Sequence, residues 1–191
     1  MTSGPAAGAV GSGRADAGAV GFDVVDPAGF GSLIPALAEV LADAVDSGAS
    51  VNFLAPFPVA DAARWWEAQA AAVAAGDLRP VVARLGGEIV GCACLVPSRK
   101  ANSPHRAEVV KVLVHRRARH RGIGAGLMAE IEDLARADGR WLLILDTTTG
   151  SDADRLYRRL GWTPFGEVPN HALRADGTLS DTTWFFKDLR G

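Results

Sequence analysis

Residues 109–126 read Val109-Val110-Lys111-Val112-Leu113-Val114-His115-Arg116-Arg117-Ala118-Arg119-His120-Arg121-Gly122-Ile123-Gly124-Ala125-Gly126. The Val-rich part predicts a strand over 107–115, and the segment from Gly122 to Ala137 predicts a helix that Gly139 stops. A strand that feeds a Gly-rich turn and then a helix aims free backbone N–H groups and the positive end of the helix dipole at one spot. Such a spot is an anion site suited to a pyrophosphate. Gly122 and Gly124 have no Cβ, so phosphate oxygens can reach the backbone. No Lys-Ser or Lys-Thr pair follows, which excludes a P-loop, and the third position of a dinucleotide fingerprint falls on Leu127 rather than glycine.

On the N-terminal side, Val81–Leu85, Gly86-Gly87 and Glu88–Val96 predict a hairpin with a two-residue turn. Residues 1–21, mostly Gly, Ala, Ser and Val, predict a flexible tail, and 22–191 a single domain. Phe22–Asp26 predicts a short strand. A helix is expected from a Ser32 cap to about Val45, with Pro35 in its first turn and Leu33, Leu37, Val40, Leu41 and Ala44 on one stripe. A second helix is expected over Val59–Ala75, where at most one of Trp65 and Trp66 points into the core. On the C-terminal side, Trp141–Asp146 predicts a strand buried on both faces. Ser151–Leu160 predicts a short helix. Trp162–Val168 and Thr182–Lys187 predict two strands separated by a polar loop that holds Pro169, His171, Asp176 and Gly177. The fold class is α/β: a twisted mixed sheet of six or seven strands flanked by about four helices.

Composition bounds the partners. The 191 residues are 48% apolar and 22% charged with a net charge of −2, an ordinary globular balance with no basic surplus for a nucleic-acid coat. No apolar run approaches a membrane span, and the N-terminus lacks the pattern of a secretory signal, so a reduced cytoplasm is the expected compartment. Seventeen Arg against three Lys, with abundant Ala, suggest a GC-rich bacterial genome. Cys92 and Cys94 share one strand face and read as buried thiols. No further ligands stand at metal spacing, so no metal is expected.

Arg119-x-x-Gly122-x-Gly124 resembles the acetyl-CoA signature of the GNAT superfamily of N-acetyltransferases, and Leu156-Tyr157-x-x-Leu160-Gly161-Trp162 is similar to another family segment. Leu145-Asp146-Thr147 with Gly150-Ser151 and Tyr157 resembles the tabtoxin-resistance type more narrowly, as do the Glu108 strand and the Pro169–Thr183 segment. The resemblance covers residues 22–191. It implies acetyl transfer from acetyl-CoA to an amine by direct attack in a ternary complex, and a small-molecule acceptor (antibiotic, toxin or metabolite). A peptide or protein acceptor and a non-catalytic acyl-CoA-binding regulator are the alternatives. A homodimer is left open.

The resemblance also assigns residues. Arg119, His120, Arg121, Gly122, Ile123, Gly124 and Ala125 would wrap the pyrophosphate of CoA, with Arg116 and Arg117 extending the basic run. Backbone groups of Val112, Leu113 and Val114 would meet the pantetheine amides. Many relatives carry Asn where Gly150 stands, so Ser151 is expected to supply that contact. Tyr157, the sole Tyr, suits a general acid for the departing thiolate, because a phenol of pKa ~10 is protonated at neutral pH. Its alternative is a half-buried ring. Glu108 and Asp146 are each a candidate base, an anchor for the amine, or a surface carboxylate. His115 and His120 flank the phosphate turn, and His171 is a candidate for the substrate rim. Asn52 and Phe53 either border the acceptor or pack on the core.

Overall fold

The hairpin forms where Gly86-Gly87 indicates: β2 (Arg79–Leu85) runs antiparallel to β3 (Glu88–Pro97), with Leu85 opposite Glu88. The structure, a computed structural model, describes residues 18–191, so residues 1–17 of the expected tail lie outside the described residues. The first strand, β1 (Val20–Val24), starts two residues earlier than expected, because Val20 and Gly21 continue the pairing with Leu85 and Arg84 of β2. The remaining strands are β4 (Arg106–Val114), β5 (Leu142–Thr148), β6 (Thr163–Leu173) and β7 (Leu179–Asp188). All seven form one sheet in the order β1-β2-β3-β4-β5-β7-β6, in which only β4 and β5 are parallel.

Helices lie on both faces. On one face α1 (Phe30–Asp46) and α2 (Val59–Ala68) bury Leu37, Val40, Leu41 and Trp66 against Val82, Cys92, Cys94 and Leu113. On the other, α4 (Ile123–Ala137) and α5 (Asp152–Arg159) bury Leu127, Met128, Ile131 and Tyr157 against Ala93, Leu95, Val109, Leu143, Leu145 and Phe185. Glu132 of α4 receives Lys187 Nζ at 2.7 and 2.9 Å and the Trp162 indole at 3.3 Å, which ties this layer to β7.

Several local expectations are corrected. Ser32 lies inside α1, where its hydroxyl donates to the Gly29 carbonyl (2.7 Å). The chain turns at Asp26 instead, and a 3-10 turn over Pro27–Gly29 leads into the helix, which leaves Pro35 in the helix interior. The second helix is interrupted at Gln69 and resumes as α3 (Ala70–Ala74), giving five α-helices among the described residues. β5 is buried on one face only: Leu143 and Leu145 are sealed under α4 and α5, whereas Leu142 and Ile144 are half-buried and Asp146 is exposed. β6 extends to Leu173, so Pro169 and His171 sit on a strand rather than in a loop. The segment Pro27–Asp46 has the length and apolarity of a membrane span, contrary to expectation, but half of it is buried in the domain core.

Phe22 of β1 explains Gly126. A Cβ at Gly126 would stand 2.1 Å from the Phe22 ring, so the glycine lets the strand lie against α4. Gly126→Ala is expected to cost about 1–3 kcal/mol through overpacking, read as a lower denaturation midpoint with an unchanged slope.

Candidate active site

β4 and β5 run side by side for only three pairs, Arg106–Leu142, Ala107–Leu143 and Glu108–Ile144, and then part. From Val109 onward β4 pairs with β3 alone, which leaves its other edge of backbone groups unpaired by β5. Parting is accompanied by a bulge. Cys92 faces Leu113 and Cys94 faces Val110, so Lys111 and Val112 together oppose Ala93, and Lys111 takes φ of +55°. A cleft of about 660 Å³ opens between the strands.

One end of the cleft is the turn into α4. Gly122 adopts φ of +75° as the residue before the helix, and no neighbour stands within 4 Å of where its Cβ would be. The first helical bond runs from Gly126 N–H to the Gly122 carbonyl, so the amides of Ile123, Gly124 and Ala125 have no intrahelical acceptor. Arg119, His120, Gly122, Ile123, Gly124 and Ala125 line the cleft; Arg121 is exposed beside it. The basic run is divided in its duties. Arg116 donates from its backbone N–H (2.8 Å) and its guanidinium to Asp43, and also pairs with Asp46. Arg117 pairs with Glu88 at 2.8 Å, and the His115 ring accepts from Arg117 N–H at 3.2 Å. These groups brace the turn against α1 and β3 instead of facing the cleft. Arg119 spends one nitrogen on the Val114 carbonyl (3.2 Å).

Midway, Val112, Leu113 and Val114 line one wall and Ser151 the other. Ser151 caps α5, its hydroxyl accepting from Asp154 N–H at 3.1 Å, while Gly150 N–H donates to the Asp154 carboxylate at 2.7 Å. The arm contact expected of Ser151 therefore competes with a capping bond. Tyr157 on α5 lines the cleft although its ring is buried between Trp162 and Phe185. Burial pushes its phenol well above the usual value, and the charge of Asp146 pushes the same way.

At the far end stand Glu108 and Asp146, both lining the cleft. Desolvation raises the Glu108 pKa, the Asp146 charge adds to it, and Arg106 offsets part. Desolvation also raises Asp146, against the lowering influence of His171 and Lys111. Asp146 pairs across the sheet with Trp184, whose ring meets His171 edge-on at 6.1 Å, so His171 on β6 joins this end of the site from outside the cleft wall. Asn52 lines the cleft; Phe53 lies behind it.

Lys111 and Trp184 were missed from the sequence. Lys111 lines the cleft, donates to the Val51 carbonyl at 3.0 Å, and lies 5.2 Å from the Phe53 ring and 5.0 Å from the Trp65 ring. Burial lowers its pKa, offset by the neighbouring Cys94, Cys92 and Asp146. Cys92, on the same strand face as Cys94, is pushed up to about 12 by burial, and Cys94 well above its usual value, so both are inert thiols. Among the described residues no cluster of three or more His, Cys, Asp or Glu could hold a metal.

The sequence model of the Acetyltransferase (GNAT) family matches residues 43–162, well over half of the chain. The chain belongs to the GNAT acetyltransferase family. The match takes in the strand–turn–helix, the parted strands and α5. The chain is also 38% identical over 95 residues to an IAA acetyltransferase of Azospirillum brasilense, a stretch that covers 47% of this chain and 60% of that relative. Two solved structures share the GNAT fold. One is yncA of Salmonella typhimurium, solved with its cofactor acetyl-CoA (TM-score 0.70, 22% identity, 89% of this chain and 94% of that one). The other is the ribosomal-protein-alanine N-acetyltransferase of Brucella melitensis (TM-score 0.67, 26% identity, 88% and 99%). The cleft fits acetyl-CoA on its own chemistry: unspent amides and an unobstructed glycine at one end for phosphate, and a free strand edge for an amide-bearing arm.

Proposed function

We propose that this protein transfers the acetyl group of acetyl-CoA to the amine of a small molecule by direct attack in a ternary complex. The carrying observation is the parting of β4 and β5 after Glu108, because one cleft then holds a phosphate-type turn, a phenol and two carboxylates of raised pKa. Acetyl-CoA supplies a thioester carbonyl as the electrophile. Amides of Ile123, Gly124 and Ala125 would hold its pyrophosphate, and the free edge of Val112–Val114 its amide arm. Glu108 and Asp146 anchor an incoming ammonium and take its proton, directly or through water. The amine nitrogen then bonds to the acetyl carbon, the carbon–sulfur bond breaks, Tyr157 gives its proton to the sulfur, and the proton that the acylated nitrogen sheds returns to the phenol.

A small acceptor is favoured over a peptide because two segments that contribute Asn52 and Arg174 to the cleft lining meet. Ala55 N–H, in the loop between α1 and α2, donates to the Ala175 carbonyl, in the turn between β6 and β7, at 2.8 Å. The phenol and two carboxylates that line the cleft favour an enzyme over a regulator that merely binds acyl-CoA. CoA-thiol release is the test, run against small amines and against peptides with free N-termini. Turnover of small amines is expected. Turnover of peptides alone would overturn the acceptor class, and acetyl-CoA binding with no turnover on either panel would overturn the enzyme.

The carboxylates also leave a stability signature. Their pKa values are higher folded than unfolded, so the folded state holds these protons more tightly. The penalty is absent below the ordinary carboxylate range of about pH 4 and grows as pH rises through the folded values. Glu108→Gln is therefore expected to raise the Tm by a few degrees at neutral pH, and Asp146→Asn by less because solvent screens its exposed carboxylate; both leave the Tm unchanged near pH 4 while lowering activity. Thermal melts at the two pH values check this.

A further inference from the structure

The loop between α1 and α2 is held from two sides, and Lys111 is the hold that comes from within the cleft. Val51 and Asn52 of this loop line the same cleft as Glu108 and Asp146. Lys111 reaches it from the bulge of β4. A bulge turns a side chain away from the regular alternation of its strand. Here the positive φ of Lys111 accompanies an ammonium that lies over both the Phe53 and the Trp65 ring and is bonded to the Val51 carbonyl. A cation over two rings with a carbonyl acceptor is a stronger tether than either contact alone, and more so when it is withdrawn from water.

The rings themselves are anchored. Phe53 stacks on Phe57 (4.3 Å between centroids) and meets Trp65 edge-on at 5.7 Å. Trp65 meets Trp66 at 4.7 Å, and the Trp66 indole, fully buried, donates to the Leu37 carbonyl of α1 at 3.1 Å. The far side of the loop is fixed by the single bond from Ala55 N–H to the Ala175 carbonyl. The acceptor end thus has a roof whose outer edge rests on the β6–β7 turn and whose inner edge is clamped by one charged side chain.

We propose that Lys111 is a positioning residue that clamps the α1–α2 loop over the acceptor end of the cleft and so sets the size of amine admitted. This rests on the reading of the cleft as an acetyl-transfer site, but the clamp has a readout of its own. The clamp needs a cation, so arginine keeps it, stacking its guanidinium on the same rings. Methionine fills the space and loses both the charge and the bond.

The experiment measures hydrogen exchange of the intact protein over residues 51–57, together with acetyl-CoA affinity by calorimetry. In Lys111→Met the Ala55 amide is expected to exchange about tenfold faster or more, from loss of a hydrogen bond and two cation–ring contacts. In Lys111→Arg it stays within about threefold of wild type, and acetyl-CoA affinity stays within about twofold in both. On the amines the wild type turns over, Lys111→Met raises KM about tenfold with kcat within about threefold, and bulkier amines become substrates. Unchanged exchange in a folded Lys111→Met protein overturns the clamp, as does equal acceleration by arginine and methionine. Should the methionine variant not fold, Phe53→Leu removes one ring with the lysine intact and is read at the same amide. If the wild type turns over no amine while the exchange result holds, the function is misassigned and the clamp stands.

Discussion

Tyr157→Phe is expected to lower kcat by about 10²–10³-fold and to leave acetyl-CoA affinity within about twofold. The substitution removes one oxygen and nothing else. The ring is held between Trp162 at 6.1 Å and Phe185 at 5.9 Å, and phenylalanine keeps both contacts. Its helix is fixed independently of the hydroxyl, by the Ser151 cap and by Asp154, which binds Gly150 N–H and Arg158. Burial holds the phenol well above its ordinary pKa, so it carries its proton throughout the working pH range and the loss should not vary with pH. A thiolate leaving without a proton donor is the costly event, so the deficit belongs to the chemical step and not to binding. Single-turnover measurement of thiol release with the identified amine isolates that step. A wild-type rate there would remove Tyr157 from the mechanism and leave it as a core ring.

What could be read in the sequence was local. The 109–126 stretch declared a strand, a turn and a helix because glycine spacing and hydrophobic period are properties of neighbouring residues, and α4 begins at Ile123, one residue from expectation. The Gly86-Gly87 hairpin was legible for the same reason. What failed depended on distant partners. Arg116 looks like a phosphate ligand in the sequence, yet Asp43 and Asp46, some 70 residues away, claim it. Trp141–Asp146 looks doubly buried because its residues are apolar, but Ile144 is only half-buried and Asp146 is exposed, and neither belongs to the two core clusters. Ser32 looks like a cap, and the chain instead turns at Asp26. Lys111 did leave a signal: it is a charge at a position of the alternation otherwise held by Ala107, Val109 and Leu113. Its partners Val51, Phe53 and Trp65 come from other elements, so the sequence could mark the anomaly without naming its purpose.

Gly124→Asp is expected to weaken acetyl-CoA binding by about 10²-fold or more while the domain stays folded. Gly124 is the second residue of α4, and its amide is one of three with no partner inside the helix. A carboxylate there is favourable for the free helix, since an anion near a helix N-terminus gains about 0.3–1 kcal/mol from the dipole. That same gain is what a bound phosphate would take. The variant therefore places its own anion where the ligand's anion must sit. Two like charges about 4 Å apart repel by ~4 kcal/mol at an effective dielectric of ~20, and exposure of the turn to solvent reduces this toward ~3 kcal/mol. Crowding must be separated from charge, because a Cβ at Gly124 would already lie 3.1 Å from Leu156 Cδ2. Gly124→Ala carries that contact without the charge and is expected to weaken binding less than about tenfold, since Leu156 lies at the cleft wall and can shift. Calorimetry with acetyl-CoA across salt concentrations reads the difference: the deficit of the aspartate variant narrows as salt rises, whereas that of the alanine variant does not. Equal affinities for the aspartate variant and wild type would mean that the pyrophosphate is held elsewhere, and that the turn at Gly122 serves the fold alone.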